Sequence, residues 1–438
     1  MKILIIENVW MGGRKYSLFD KTLLTMFTIL PTLNARHIAA ITPKKHEVKV
    51  INERYEKINF EEKWDLVNIN FTASTAPHAY DIADKFRKKD IIVVLSGLHP
   101  SLMPDEAKQH ANSVLLGVGE LNWLTLLEDY ENKMLKTYYQ PVKYGKNTIL
   151  PPTNINLPGV VLSGAIEATR GCPYKCEFCR ESHIPGGSQF YTRPVDEVID
   201  EIKNLPQKSF TFYDTSLTID TNYTKELFEK MIGLKKRFSC NGNVDVLAND
   251  KELVSLSKKA GCVSWLIGFE SINQETLNDI GKKTNIVKEY KQAVQNIHKN
   301  GMVVIGCFVF GFDKDYKNIF NNTLKIIQEL EIDAADFLVL TPFPGTPLYN
   351  KMQKEKRIIT YDWRFYNMKT VVFKPKNMTR EELLFGVKNM YKKYYSTPLT
   401  TIRIIKSLKY GFFPFILVLE RNFSTHMNIR VLFKTKSN

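Results

Sequence analysis

Cysteine is scarce in this chain: six in 438 residues. Cys240, Cys262 and Cys307 stand singly in apolar stretches, which excludes a disulfide framework and points to a reducing compartment. Long apolar runs are missing too. The longest, "GFFPFILVL" from Gly411 to Leu419, is far too short to span a bilayer. The opening "MKILIIENVW" lacks the apolar core and small-residue cleavage site of a secretory leader and reads as a buried strand. A cytoplasmic location, at most peripheral to a membrane, is the expectation. Acid is also short, leaving a net charge of +15. The lysines are spread along the chain, so the excess reads as a solvated surface, and nucleic acid is not expected as a partner.

Hydrophobic residues make up 44% of the chain, enough for the two cores that its length calls for. Two βα series follow one another. The first has continuous apolar runs at "KILII", "EVKVINE", "DLVNINF", "IIVVLSG" and "SVLLGVG", separated by helical patterns such as "HAYDIADKFRKKD". Five such strands alternating with helices mean a doubly wound, flavodoxin-like parallel sheet. "PVKYGKNTILPPTNINLPGV" breaks the pattern and reads as a linker. The second series runs through "VLSGAIEAT", "SFTFYDT", "FSCNGNVDV", "VSWLIGFE", "VVIGCFVFGF" and "AADFLVLTP". Six units, not the eight of a closed barrel, make a partial (β/α)6 TIM-like barrel with an open side. The expected organisation is an α/β domain at 1–135, a linker at 136–160, the barrel at 161–347 and a helical C-terminal extension at 348–438.

The remaining cysteines lie together in "CPYKCEFC", Cys172, Cys176 and Cys179, with gaps of three and two residues. They follow the first barrel strand, at the C-terminal mouth where such barrels hold their active sites. Gly171 and Pro173 suit the tight turn. Structural zinc sites and ferredoxin-like clusters take four protein ligands, and no second CxxC or Cys–His pair supplies the rest. A 4Fe-4S cluster with three protein ligands would leave one iron open to a small molecule. Inert buried thiols are a poor account of three cysteines in one polar loop.

CxxxCxxC after the first barrel strand, with the aromatic Phe178 before the last cysteine, resembles the radical S-adenosylmethionine (SAM) superfamily. The resemblance implies a 4Fe-4S cluster on Cys172, Cys176 and Cys179 whose open iron takes the amino and carboxylate groups of SAM. One electron, from a donor such as ferredoxin or flavodoxin, then breaks the sulfonium C–S bond. Methionine and a 5′-deoxyadenosyl radical result, and the radical abstracts hydrogen from an unactivated carbon. Other stretches match by position. Asp214 in "FTFYDT" falls where the family meets the methionyl amino group, although the usual glycine pair and glutamate are absent. Glu270 in "LIGFES" falls where a polar residue meets the ribose, and Gly306 and Gly311 lie on the strand whose backbone holds adenine. "LTPFPGTPLY", Leu340 to Tyr349, resembles the subgroup that carries an N-terminal cobalamin-binding domain.

For that domain the resemblance points to Gly97 in "LSGLHPSLMPDEA" and to Gly117 and Gly119 in "LLGVGE". At these strand ends backbone can approach a bulky ligand. Cobalamin domains with a lower axial histidine carry Asp-x-His-x-x-Gly after the first strand; this chain has Asn8, Trp10 and Gly13 there. The indole N–H of Trp10 only donates, and His99 follows a different strand. Cobalamin, if bound, is therefore expected without a histidine lower ligand.

The leading expectation is a radical SAM enzyme performing cobalamin-dependent C-methylation of a small-molecule or lipid substrate. Without cobalamin, rearrangement, cyclisation or C–C coupling takes its place. An RNA-modifying methylthiotransferase ranks lower because its second cluster needs cysteines that this chain does not group. A non-enzymatic cobalamin or redox sensor would not need the intact triplet and Glu270. The last segment, 401–438, carries Arg403, Lys406, Lys409, Arg421, Arg430, Lys434 and Lys436 against one acid, Glu420. It reads as a terminal helix packed on the barrel or as a segment lying in a membrane interface. Pro414 is expected to break any single helix through the apolar run.

Overall fold

The computed structural model describes residues 1–7, 33–53, 56–141 and 163–432. Its first sheet has six parallel strands: β1 (Lys2–Glu7), β2 (Glu47–Asn52), β3 (Leu66–Asn70), β4 (Ile92–Ser96), β5 (Ser113–Leu115) and β6 (Tyr138–Tyr139). Their order is β2-β1-β3-β4-β5-β6. The strands are apolar at nearly every position because both faces are covered. Leu4 and Ile6 enter one core with Val67, Ile69, Val93 and Leu95, beneath helix Ala76–Arg87. Ile3 and Ile5 enter the other with Leu66 and Val94, beneath helices Asn34–Ile41 and Trp123–Glu131. The strand order reverses between β1 and β3, so the crevice of this sheet opens beside Glu7 and Asn70, where those strands end. The sheet has one strand more than the five expected. β6 pairs with β5 in the stretch read as linker, and two residues shortly before Pro141 are too few to show a period.

β7 (Gly164–Ile166) opens the second sheet. The two-residue strands β8 (Thr169–Arg170) and β9 (Tyr191–Thr192) then form a separate antiparallel pair. β10 (Ser209–Phe212), β11 (Arg237–Gly242), β12 (Cys262–Glu270), β13 (Val303–Phe310) and β14 (Ala334–Val339) complete the six expected barrel strands, all parallel, in the order β14-β13-β12-β11-β10-β7. Among the described residues the edge strands β7 and β14 do not pair with each other, so the barrel is partial. Alternation divides each strand between two environments. On β12, Trp265, Ile267 and Phe269 enter the core under the outer helices, while Leu266, Gly268 and Glu270 line the lumen. On β14, Phe337 meets Tyr391 and Tyr394 of helix Arg380–Tyr394 edge-on, at ring centroid distances of 5.1 and 5.5 Å.

Helices Thr397–Ser407 and Phe412–Leu432 follow, under the N-terminal ends of the barrel strands. Asn422 is fully buried there, donating to the Asp333 carbonyl just before β14 and accepting from Arg403. The expected break at Pro414 does not occur. Gly411, at φ +100°, ends the preceding turn and the helix starts at Phe412. Pro414 thus falls in the first turn, where no intrahelical partner awaits its missing N–H. No described helix is long and apolar enough to cross a membrane.

Candidate active site

The cysteine loop is pinched at its neck by β8 and β9, where Thr169 pairs with Thr192 and Arg170 with Tyr191. Inside the loop, Cys172 N donates to Gly187 O at 2.9 Å and Cys179 N to Cys176 O at 3.1 Å. Outside it, Glu177 N donates to Ile280 O at 3.0 Å, and Leu348 N to Glu177 O at 3.1 Å. Gly171 sits at φ +81°, and a Cβ there would lie 1.9 Å from Gln189 O, so only glycine lets the loop double back. The three thiols border one cavity of about 850 Å³ between the barrel mouth and the first sheet. Burial pushes all three above the ordinary thiol range, Cys176 to about 11, so metal binding there must release protons. Among the described residues, no three such side chains converge on one point as ligands of a single ion. Three thiols spread along one loop fit instead a cluster whose irons each take one thiolate.

Two charged side chains stand beside the thiols. Glu270 ends β12 at a bulge, at φ +61°, a conformation rare outside glycine. Its carboxylate folds back over Gly268, where a Cβ would sit 2.4 Å from Oε1. Lys282 Nζ lies 3.7 Å from the same oxygen. Burial alone would lower the Lys282 pKa; Glu270 and the three cysteines outweigh it and keep the ammonium charged. Burial pushes Glu270 up against the pull of Lys282. No motif announces Lys282, which follows helix Gln274–Asp279 in "GKKT". Contacts of its neighbours bring it here: Ile280 O accepts from the cysteine loop, and Cys176 Sγ lies 3.7 Å from Gly281 O.

The other expected site residues divide. Phe178 borders the cavity, edge-on to Phe312 at 6.0 Å. Asp214 borders it too, but its carboxylate is already occupied. It accepts from Ala168 N at 3.2 Å, from Thr169 N, and from Thr169 Oγ1 at 2.7 Å, pinning the chain between β7 and β8. Burial raises it to about 7. Gly306 and Gly311 are not among the cavity-lining residues. A Cβ at Gly306 would meet Phe308 and Phe269, and one at Gly311 would meet Leu383, all on the helix side of the strand. Cys307, between them, borders the cavity, a position the sequence reading left as scattered. Cys240 and Cys262 are buried in the core with Sγ atoms 4.0 Å apart.

The opposite wall comes from the first sheet: Glu7, Asn70, Thr72, Gly97 and Gly117. Gly97 and Gly117 have φ of +106° and +68°, and a Cβ would lie 2.7 Å from Phe71 O and 2.1 Å from Pro185 O respectively. The protein's own chain therefore requires these glycines, at Gly117 because the cysteine loop's far end presses against it. Gly119 opens the short turn Gly119–Asn122 before the next helix. His99 is buried away from the cavity, its Nε2 3.2 Å from Glu106 and its ring against Trp363. No described histidine lines the cavity; Asn8, Trp10 and Gly13 lie outside the described residues. Bare backbone at the strand ends, with the Glu7 and Glu120 carboxylates engaged by Asn52 and Arg170, leaves room for a bulky ligand such as cobalamin. Between the walls, Arg170 pairs with Glu120 of the first half and Glu167 of the barrel, and His37 Nε2 lies 3.4 Å from Glu167. Burial would raise Glu167, but Arg170 and His37 hold it down at about 2.

A family model described as the radical SAM superfamily matches residues 166–327. The chain is 31% identical over 378 residues to the bacteriochlorophyllide d C-12(1)-methyltransferase of Chlorobaculum tepidum, covering 83% of this chain and 82% of that one. It is 30% identical to the bacteriochlorophyllide d C-8(2)-methyltransferase of the same organism, covering 80% and 82%. Among solved structures, the radical SAM methyltransferase TsrM from Kitasatospora setae, with cobalamin and a [4Fe-4S] cluster bound, shares the fold. The TM-score is 0.70 at 14% identity, over 98% of this chain and 99% of that one.

Proposed function

We propose, from the premise that the chain belongs to the radical SAM superfamily, that it is a cobalamin-dependent C-methyltransferase acting on a small molecule. The observation that carries this reading is the cavity with two unlike walls, the cysteine triplet on one side and the strand ends of a doubly wound sheet on the other. When bound, the cluster with SAM supplies the radical that abstracts hydrogen, and cobalamin supplies a methyl group.

The chain's own residues hold and orient these groups. Cys172, Cys176 and Cys179 would each bind one iron. Lys282 offsets the negative charge that the three thiolates gather in a buried site. Glu270, fixed by its bulge and by Lys282, would meet the ribose of SAM. Phe178 and Phe312 keep water from one side. Asp214 holds the β7–β8 chain through Ala168 and Thr169 and would act on SAM through them, while Gly306 and Gly311 would contribute backbone only. Gly97 and Gly117 leave bare backbone at two strand ends of the first wall, and Gly119 would contribute backbone from the turn that follows. The division at 1–135, 136–160, 161–347 and 348–438 accompanies this reading, as does a one-electron donor such as ferredoxin or flavodoxin.

The test is anaerobic reconstitution with iron and sulfide, followed by SAM and a reductant, with cobalamin binding measured separately. About four irons per chain and cleavage of SAM are expected, together with bound cobalamin whose Co(II) spectrum shows no axial nitrogen splitting. A reconstituted, reduced protein that leaves SAM intact would sink the radical reading. Cleavage without cobalamin binding would keep the radical enzyme and end the methylation reading.

A further inference from the structure

We propose that the tip of the C-terminal helical hairpin, at the floor of the barrel, docks on an anionic membrane surface. The hairpin turns at Gly411 between helices Thr397–Ser407 and Phe412–Leu432. Around that turn Ile405, Leu408, Phe412, Phe413 and Ile416 are 60%, 56%, 69%, 49% and 40% exposed. Seventeen large apolar residues are exposed among the described residues, and eight of them fall between Ile402 and Met427. Scattered exposed apolar residues are ordinary; a cluster gathered at one tip marks a contact surface. The hairpin is not loose. Its other side buries Ser407, Val418 and Asn422, and the Arg403 guanidinium lies 3.9 Å from the Tyr394 ring centroid. The apolar tip is therefore presented by a firmly seated element.

Charge decides the occupant. The tip lies among the N-terminal ends of barrel strands, and those ends are basic. Arg237, first in β11, places its guanidinium 4.9 Å from the Phe413 ring centroid. Lys258 donates to Gly301 O, next to Tyr410 O, and Lys259 and Lys299 are exposed just before β12 and β13. Lys406 and Lys409 flank Leu408 and share one carboxylate, Glu331. Asp333 is taken up by His298 at 2.8 Å, and Glu420, on the second helix of the hairpin, is half-buried beside Arg421. Phe, Leu and Ile at the centre with Lys and Arg around them suit an interfacial segment. The apolar groups enter the headgroup boundary and the cations meet anionic lipid. A second copy of the chain would bring the same cations face to face and be repelled. The cavity lies at the other end of the barrel, so docking leaves its mouth open.

The test is sedimentation of the full chain with vesicles of phosphatidylcholine alone and with added phosphatidylglycerol, at low and high salt. Binding to the anionic vesicles at low salt is expected, at least about tenfold weaker on neutral vesicles and at high salt. The double variant Phe412→Ser with Phe413→Ser, and separately Ile405→Ser, should weaken binding several-fold while keeping the Tm and the reconstituted iron content of the parent. A parent that ignores anionic vesicles, or variants that bind them as well as it does, would overturn the proposal. So would a parent that is dimeric in gel filtration and made monomeric by these substitutions, because the tip would then belong to a second copy.

Discussion

The two walls of the cavity are built on opposite plans. The barrel wall works through side chains: three thiols, a carboxylate in a left-handed conformation and a buried ammonium. The wall from the first sheet offers glycines, an amide and a hydroxyl, with two carboxylates that are already engaged, Glu7 by Asn52 at 2.9 Å and Glu120 by Arg170. The contrast teaches where reactivity resides. One wall does chemistry by what its side chains carry; the other accommodates a partner by what its side chains omit. Removing atoms should hurt the first wall most, and adding atoms should hurt the second.

Five substitutions, one of them a control, test that contrast. The largest effect is expected at the triplet. Cys176→Ala should reduce bound iron and SAM cleavage to background, whereas Cys262→Ala, in the core, should leave both near the parent's levels; iron and sulfide analysis with a cleavage assay decides. Next is Lys282→Met, which leaves Glu270 and the thiolates without their cation. Cluster binding or activity should fall about 10–100-fold, and a variant with full iron content and an unchanged KM for SAM would show that the charge plays no part. Adding a single methyl to the other wall comes third. Gly97→Ala meets both a positive φ and the Phe71 carbonyl within the first sheet, at a cost of about 1–3 kcal/mol in stability; if that wall only accommodates, reconstituted iron should be retained.

The smallest effect concerns pH. Burial pushes Glu7 up to about 7, above its unfolded value, so the folded chain keeps a proton that the unfolded chain releases. The stability from this group is fully present below about pH 4 and is lost as pH rises through 7, by about 1 kcal/mol between pH 6 and pH 8. Glu7→Gln should remove that increment. Thermal unfolding at both pH values that shows the parent's slope in the variant would contradict the assignment.

The barrel was legible because six short strand patterns alternate with helical ones and its triplet lies within eight residues of sequence. The remainder depends on contacts between distant segments. β6, β8 and β9 are two residues long, too short for any period, yet the pair β8–β9 closes the neck of the cysteine loop. Lys282 is brought to the site by contacts of its neighbours, Ile280 O accepting from Glu177 N and Gly281 O lying against Cys176 Sγ. Asp214 looked available in "FTFYDT", and nothing local shows that Ala168 and Thr169 occupy its oxygens. Gly306 and Gly311 matched by position, but a strand's two faces are told apart by their neighbours, here Phe269 and Leu383. At Pro414 the residue type was right and the register wrong, since a proline that breaks a helix interior is tolerated in its first turn.

Arg170 serves two structures at once. Its backbone is one rung of the clasp at the neck of the cysteine loop, and its side chain ties Glu120 of the first half to Glu167 of the barrel. The loop that receives iron is thus fastened at the joint between the halves. A chain whose halves have not yet closed on each other lacks one of the anchors of that neck, so the thiols are expected to be fully held in place only once the joint has closed. The rate at which a thiol reagent modifies Cys172 in the metal-free protein would report that closure directly.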